Sequence, residues 1–76
     1  MEKSQDRDPN RLLDALIMRK KLKNDAALCR VLQVSPPLIS KIRSGKLSIS
    51  ADVMIRMHDV FEMQISELRQ LMGSNQ

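Results

Sequence analysis

The residues of this chain that could do chemistry are mostly cations, and they are concentrated in one stretch. Between Arg19 and Lys46 a single acid, Asp25, stands among eight basic side chains: Arg19, Lys20, Lys21, Lys23, Arg30, Lys41, Arg43 and Lys46. The local charge is therefore +7 in a chain whose net charge is +4. Such a concentrated positive field is typical of a site for a polyanion. Charge alone leaves a second interpretation open, which is a solvated basic face.

Catalytic and metal chemistry have less support. Cys29 and His58 are the only cysteine and the only histidine, and two such side chains cannot complete a zinc site. The sequence shows no nucleophile with a partner base, no carboxylate pair on one helical face and no glycine-rich phosphate loop. We therefore expect no enzyme activity, no metal and no cofactor. Cys29 is predicted to be a packed thiol, and His58 to have a structural or surface role.

The basic stretch has the spacing of two short helices joined by a tight turn. Asn24 can cap a helix over residues 25–32, because apolar residues recur there at three- and four-residue steps. Ser35, which two prolines follow, can cap a second helix that Gly45 ends. The apolar residues predicted to face inward from this two-helix unit are Ala27, Leu28, Val31, Leu32, Leu38, Ile39 and Ile42.

Three further helices are predicted around this unit. Asp8 and Pro9 supply a cap and a first-turn proline for a helix over residues 9–22. Two more apolar patterns predict helices over 51–61 and 65–72. In the loop before them Leu47 and Ile49 are expected to lie under the core, and Ser48 or Ser50 to cap the fourth helix.

The length of 76 residues is that of one domain. We expect a compact all-α domain over residues 9–73, with a disordered N-terminal tail at 1–8 and a C-terminal tail at 74–76. A lone cysteine cannot form an internal disulfide, which fits a reducing compartment such as the cytoplasm. The absence of a long apolar run or a charged-then-apolar leader predicts no membrane span and no secretion signal.

An ordered series of short motifs runs through most of the chain. Leu28-Cys29 precedes Leu32-Gln33-Val34-Ser35, then Ile39-Ser40-Lys41-Ile42, then Gly45-Lys46, and the residues 61–68 close the series. Over roughly residues 10–72 this series resembles the lambda repressor/Cro-like helix-turn-helix domains, also called the XRE type. The family has Leu-Ala, Leu-Gly-Val-Ser, a recognition-helix core, Gly-Lys and Leu-Gly-Val-Ser-Leu-Asp-Glu-Leu at the corresponding places. The resemblance implies a five-helix fold with the helix-turn-helix at helices 2 and 3.

The resemblance also implies which residues meet double-stranded DNA. The second helix of the unit would read base edges through Pro36, Pro37, Ser40 and Lys41. Phosphate contacts would come from Lys21, Lys23, Asn24, Arg43, Ser44 and Lys46. Direct readout should rest mainly on Lys41, since a proline ring donates no hydrogen bond to a base.

Three positions depart from the family pattern. Asp25 stands where the family often has a glutamine that donates to a phosphate, and an ionised carboxylate cannot donate. Gln33 replaces the glycine of the turn, so it must adopt a positive φ at a cost of about 1 kcal/mol unless the turn differs. Arg43 stands where the family commonly has a glutamate paired with an arginine of helix one, so Arg43 is expected to be free for a phosphate.

Two functions follow from these patterns. The first is a sequence-specific, DNA-binding transcription regulator similar to Cro repressors or controller proteins, acting in the cytoplasm and on the nucleoid. It would bind a palindromic operator as a homodimer formed through Leu68, Leu71 and Met72. The alternative is an antitoxin or other protein-interaction module on the same fold, with DNA binding secondary. Asp25 and the two prolines favour the alternative, whereas the clustered charge and Lys41 favour the regulator.

Overall fold

The computed structural model describes residues 8–73, which form five helices and no strand. The helices are α1 (Pro9–Arg19), α2 (Asp25–Leu32), α3 (Pro36–Arg43), α4 (Ala51–Phe61) and α5 (Ile65–Leu71). The predicted compact, all-α class is confirmed for this part of the chain. The bounds of α2 and α4 agree with the predicted ones, and α5 ends one residue early. The two predicted tails fall outside the described residues, except for Asp8.

The first helix begins as predicted. The Oδ1 atom of Asp8 accepts a hydrogen bond of 3.0 Å from the backbone N–H of Asn10, and Pro9 occupies the first position of α1. This side-chain acceptor satisfies one of the donors that a helix start leaves without a partner. Proline fits there because its missing N–H would have had no helical acceptor.

The predicted end of the first helix at residue 22 is wrong. Lys21 adopts a left-handed φ of +54°, which ends the helix at Arg19. The N–H of Leu22 then donates to the carbonyl of Ile17 at 2.8 Å, as in the usual left-handed helix end. Leu22 does pack on the core, but it packs from the turn after α1.

The core receives buried side chains from every helix. Its completely or almost completely buried members are Leu12, Leu13, Leu16, Leu28, Leu32, Ile39, Ile42, Met57 and Leu68. Ile49 is half-buried against this cluster as expected, but Leu47 is 41% exposed, so its predicted place under the core is wrong. Leu47 lies directly after the turn at Gly45, where the chain runs along the surface.

Local hydrogen bonds fix the start of α4 and the connection from α4 to α5. Ser50, one of the two predicted caps, accepts from the N–H of Val53 at 3.3 Å. After α4 the chain reverses at Glu62, whose φ is +55°. The ring of His58 donates from Nδ1 to the carbonyl of Met63 at 2.6 Å, because a carbonyl oxygen can only accept. This contact gives His58 a structural role in the turn.

The two-helix unit, α2 and α3, packs on α1 and α4, and α5 packs on the same two helices. α1 contacts α2, α3 and α5, and α4 contacts α2 and α5. The guanidinium of Arg56 in α4 donates to the carbonyl of Leu32 at the end of α2, at 3.4 Å. The N–H of Asp8 donates to the carbonyl of Met72 at 2.8 Å, joining the start of α1 to the end of α5. Within residues 8–73, no helix combines the length and the apolar character needed to cross a bilayer.

Candidate nucleic-acid interface

The turn between α2 and α3 is built as the sequence predicted. The Oδ1 atom of Asn24 caps α2 by accepting from the N–H of Ala27 at 3.0 Å. Gln33 follows α2 with φ +60° and ψ +45°, so of the two alternatives left open by the sequence the positive φ is the one adopted. The N–H of Val34 donates to the carbonyl of Cys29 at 3.0 Å, so the chain turns back over the end of α2. The side chains of Leu28, Cys29 and Leu32 are buried and hold α2 against the rest of the domain.

The start of α3 differs from the predicted cap. Ser35 has the extended backbone of a cap residue, but its side chain makes no capping hydrogen bond. A cap side chain accepts from the second or third N–H of a helix. Pro37 has no N–H to offer, and the N–H of Leu38 is taken by the backbone carbonyl of Ser35 at 3.1 Å. The prolines therefore start α3 by their fixed φ, without a side-chain cap from Ser35.

The solvent face of α3 brings together the residues expected to read bases. Pro36, Pro37, Ser40 and Lys41 are all exposed. Positions four apart fall in one row along a helix, so Pro36 and Ser40 form one row and Pro37 and Lys41 the neighbouring row. The opposite side of α3 is fixed in the core by Ile39 and Ile42, which are almost completely buried.

The end of α3 holds two of the expected phosphate ligands in a defined turn. Gly45 has φ +82°, and the N–H of Lys46 donates to the carbonyl of Lys41 at 2.9 Å. The hydroxyl of Ser44 donates to the same carbonyl at 3.1 Å. Ser44 and Lys46 are exposed, so the Lys46 ammonium is accessible beside the solvent face of α3. The single hydroxyl proton of Ser44 is already donated to Lys41, so Ser44 could donate to a phosphate only by leaving that carbonyl.

The expectation that Arg43 is free for a phosphate is wrong. Its guanidinium donates to both carboxylate oxygens of Asp25, at 3.0 Å from Nε and 2.8 Å from Nη2. The same Nη2 lies 2.8 Å from Oδ1 of Asp14 in α1. Nη1 donates to Oδ1 of Asn10 at 2.9 Å, and the Asn10 amide donates back to the Arg43 carbonyl at 3.2 Å. We call these four side chains, Asn10, Asp14, Asp25 and Arg43, the arginine cluster.

The arginine cluster joins three helices at one point. Asn10 and Asp14 belong to α1, Asp25 begins α2, and Arg43 ends α3. The hydrogen bond from Arg43 is the main reason that the pKa of Asp25 lies below its ordinary value, with burial opposing the shift. The two carboxylates in turn raise the pKa of Arg43 above its ordinary value. A bidentate contact between a guanidinium and a carboxylate is both strong and directional, so the cluster fixes the end of α3 relative to α1 and α2.

The sequence contains a signal that could have predicted the arginine cluster. Arg43 occupies the position where the resembled family has an acid paired with a base of helix one. If the two charges of that pair are exchanged, helix one has to supply the acid. Asp14 is an exposed acid of α1. Asp25 was expected to lack the phosphate contact of the family's glutamine and to stabilise the start of α2. Its carboxylate also binds Arg43, and its position in the first turn of α2 suits the helix dipole.

The remaining expected phosphate ligands precede or begin α2. Lys21, Lys23 and Asn24 are exposed in the segment between α1 and α2. Asn24 uses its Oδ1 atom as a cap, which leaves its side-chain amide group as a possible donor. Lys20 differs from its neighbours because its Nζ atom lies 5.4 Å from the centre of the Phe61 ring, a cation–π contact. Lys20 thus helps to tie the end of α1 to α4.

Two other predictions concern side chains that the structure places in the core. Cys29 is buried, as predicted, and burial is the main reason that its pKa is raised. Leu68 and Met72 were expected to be left over for a dimer partner, and that expectation is wrong because both are buried within a single chain. Leu71 is half-buried. The apolar residues of α5 are all needed within one chain because α5 packs on two helices, α1 and α4.

Comparison with models of protein families, with curated proteins and with solved structures finds no match to this chain.

Proposed function

We propose that this protein is a sequence-specific, double-stranded DNA-binding regulator of transcription that binds a palindromic operator as a homodimer. The observation that carries the proposal is the solvent face of α3. It presents Ser40 and Lys41 beside Pro36 and Pro37 while the opposite side is fixed in the core. A helix held in this way can enter the major groove with a defined orientation.

The charge around α3 supports a polyanion as the partner. Lys21 and Lys23 are exposed before α2, and Lys41 and Lys46 are exposed on α3 and just after it. In this proposal the ammonium groups of Lys21, Lys23 and Lys46 bind phosphates, and their binding releases counterions from DNA. The similarity of the motifs to lambda repressor/Cro-like domains favours the same mode of docking.

Lys41 is the residue that we assign to base readout. Its ammonium group can donate to O6 and N7 of guanine, and the neighbouring prolines offer only an apolar contact to a thymine methyl group. Lys41→Ala is expected to cost about 1–3 kcal/mol on the preferred site and to relax specificity at one base pair. Lys46→Ala is the matched control, because it removes the same charge from the turn after α3 and should weaken all sequences alike.

The test begins with selection of bound duplexes from a randomised pool, at about physiological salt. The mass of the protein in solution is measured in parallel. The proposal expects an enriched inverted repeat with half-sites about one DNA turn apart, and a mass of two chains. Recovery of random sequences, or equal losses of specificity for Lys41→Ala and Lys46→Ala, would contradict it.

The second candidate function is a protein-interaction module, such as an antitoxin, with DNA binding secondary. Ile55 favours it, because this side chain is 53% exposed on α4. It borders a groove of about 420 Å³ lined also by Ile49, Met54 and Ile65. Salt separates the two functions, since binding to phosphates weakens steeply as salt rises while an apolar contact does not. An Ile55→Ser variant should retain DNA binding if the regulator proposal is correct.

A further inference from the structure

We infer that Asp14 and Asp25 withhold Arg43 from the DNA backbone, so that this carboxylate pair limits the affinity of the basic surface for nucleic acid. The inference rests on the proposed function and identifies a restraint within the same interface. Arg43 ends the helix that we assign to base readout. Its position therefore lies next to Ser44, one of the expected phosphate ligands.

The geometry shows how completely the guanidinium is engaged. Arg43 directs Nε and Nη2 to Asp25, Nη2 also to Asp14, and Nη1 to Asn10, all within 3.0 Å. A phosphate that approached Arg43 would have to displace a carboxylate from a bidentate contact. The oxygens of a carboxylate and of a phosphate use the same N–H donors, so the two acceptors compete directly.

The charges lead to the same conclusion. Two carboxylates surround one guanidinium, which leaves the arginine cluster with a net charge of −1. The carboxylates also remain open to solvent, because the Asp14 side chain is 64% exposed and the Asp25 side chain 43%, whereas Arg43 is 24% exposed. A DNA phosphate would therefore meet acidic oxygens before it met the guanidinium. Replacing both acids by asparagine removes that repulsion and leaves one neutral acceptor oxygen in place of each carboxylate. The bidentate contact with residue 25 is then lost, and a phosphate can compete for the donors of Arg43.

The experiment measures how the affinity for a short duplex of random sequence depends on salt, by fluorescence anisotropy, for the whole chain. Each phosphate contact adds about 0.9 to the slope of log affinity against log salt. The double variant Asp14→Asn/Asp25→Asn is expected to bind more tightly and to gain about 0.9 in slope. That gain is an additional loss of about 3.5-fold in affinity between about 50 and 200 mM salt.

Two controls separate this restraint from a change in net charge. Asp52→Asn/Asp59→Asn adds the same charge at two exposed positions of α4 and should leave the slope unchanged. Arg43→Gln should also leave it unchanged, since the wild-type Arg43 makes no phosphate contact to lose, while Lys46→Ala should lower it by about 0.9. Circular dichroism confirms that each variant is folded, and the single variants Asp14→Asn and Asp25→Asn replace the double variant if it unfolds.

The outcomes distinguish this inference from the proposed function. An unchanged slope in the Asp14 and Asp25 variants, or a lowered slope in Arg43→Gln, overturns the inference while wild-type DNA binding stands. If the wild type binds no duplex, the proposed function fails. The inference then stands only if the neutralised variant binds duplex DNA, and it is overturned if that variant also fails to bind.

Discussion

Gln33→Gly is expected to stabilise the protein, because a side chain now occupies a backbone conformation that favours glycine. Gln33 has φ +60° in the turn between α2 and α3. A residue with a Cβ atom loses about 1–2 kcal/mol in this conformation, whereas glycine does not. Glycine also gives the unfolded chain more freedom, which costs about 0.5–1 kcal/mol. Taking the middle of both ranges, the net gain is about 0.75 kcal/mol, or a rise of roughly 3–6 °C in Tm for a chain of this size.

Thermal and urea unfolding of Gln33→Gly and of two comparison variants test this reasoning. Gln33→Ala removes the same polar side chain but keeps a Cβ atom, so it should gain nothing. Gly45→Ala is the reverse change, at φ +82°, and a Cβ atom there meets no atom within 4 Å. Its expected cost of about 1 kcal/mol therefore comes from backbone conformation alone. The reasoning is refuted if Gln33→Gly is no more stable than Gln33→Ala.

Three further predictions concern the core, the arginine cluster and the thiol. Leu16→Ala should cost about 2–5 kcal/mol in urea unfolding because Leu16 is completely buried, and an equal cost for the exposed control Met18→Ala would contradict that assignment. Because Arg43 lowers the pKa of Asp25 from its ordinary value of 3.8, the stabilisation of this pair is complete above that pH and is lost as the pH falls through the lower folded value. The acid-induced loss of stability measured in stepped buffers should then be smaller in Arg43→Gln, and an identical pH profile would count against the pair. Cys29 should react slowly with iodoacetamide at neutral pH, since burial raises its pKa, and a rate equal to that of the urea-unfolded chain would show that the thiol is accessible.

The helices could be predicted because their signals are local. Asn24 and Ser50 cap the helices that follow them, and the bounds of α2 and α4 agree with the sequence pattern. The resemblance left two alternatives at Gln33, a positive φ or a different turn, and the structure adopts the positive φ. The end of α1 could not be predicted, because no glycine or asparagine marks Lys21 as the residue that adopts a left-handed φ.

The contacts of Arg43 and the surroundings of Leu68 depend on parts of the chain that are far apart in sequence. Asn10 lies 33 positions before Arg43, and no local sequence pattern predicts that their side chains are in contact. Similarly, the burial of Leu68 depends on how α1 and α4 meet around α5. Sequence spacing identifies the face of a helix that is apolar, but the space available to that face is set by the tertiary packing. The charges and the solvent face of α3 were therefore predicted better than the partners of individual side chains.

The hydrogen bond between Asp8 and Met72 bears on whether the order of the helices along the chain can be changed by circular permutation. Because it brings the backbone at the start of α1 within 2.8 Å of the backbone at the end of α5, a short linker can close the polypeptide into a ring without disturbing either helix. The exposed loop at Leu47 and Ser48 is then a natural place to open it, since permuted chains tolerate new ends at exposed loops. Such a circular permutant would begin with α4 and α5 and carry the two-helix unit at its C-terminal end, with all five helices in their present places.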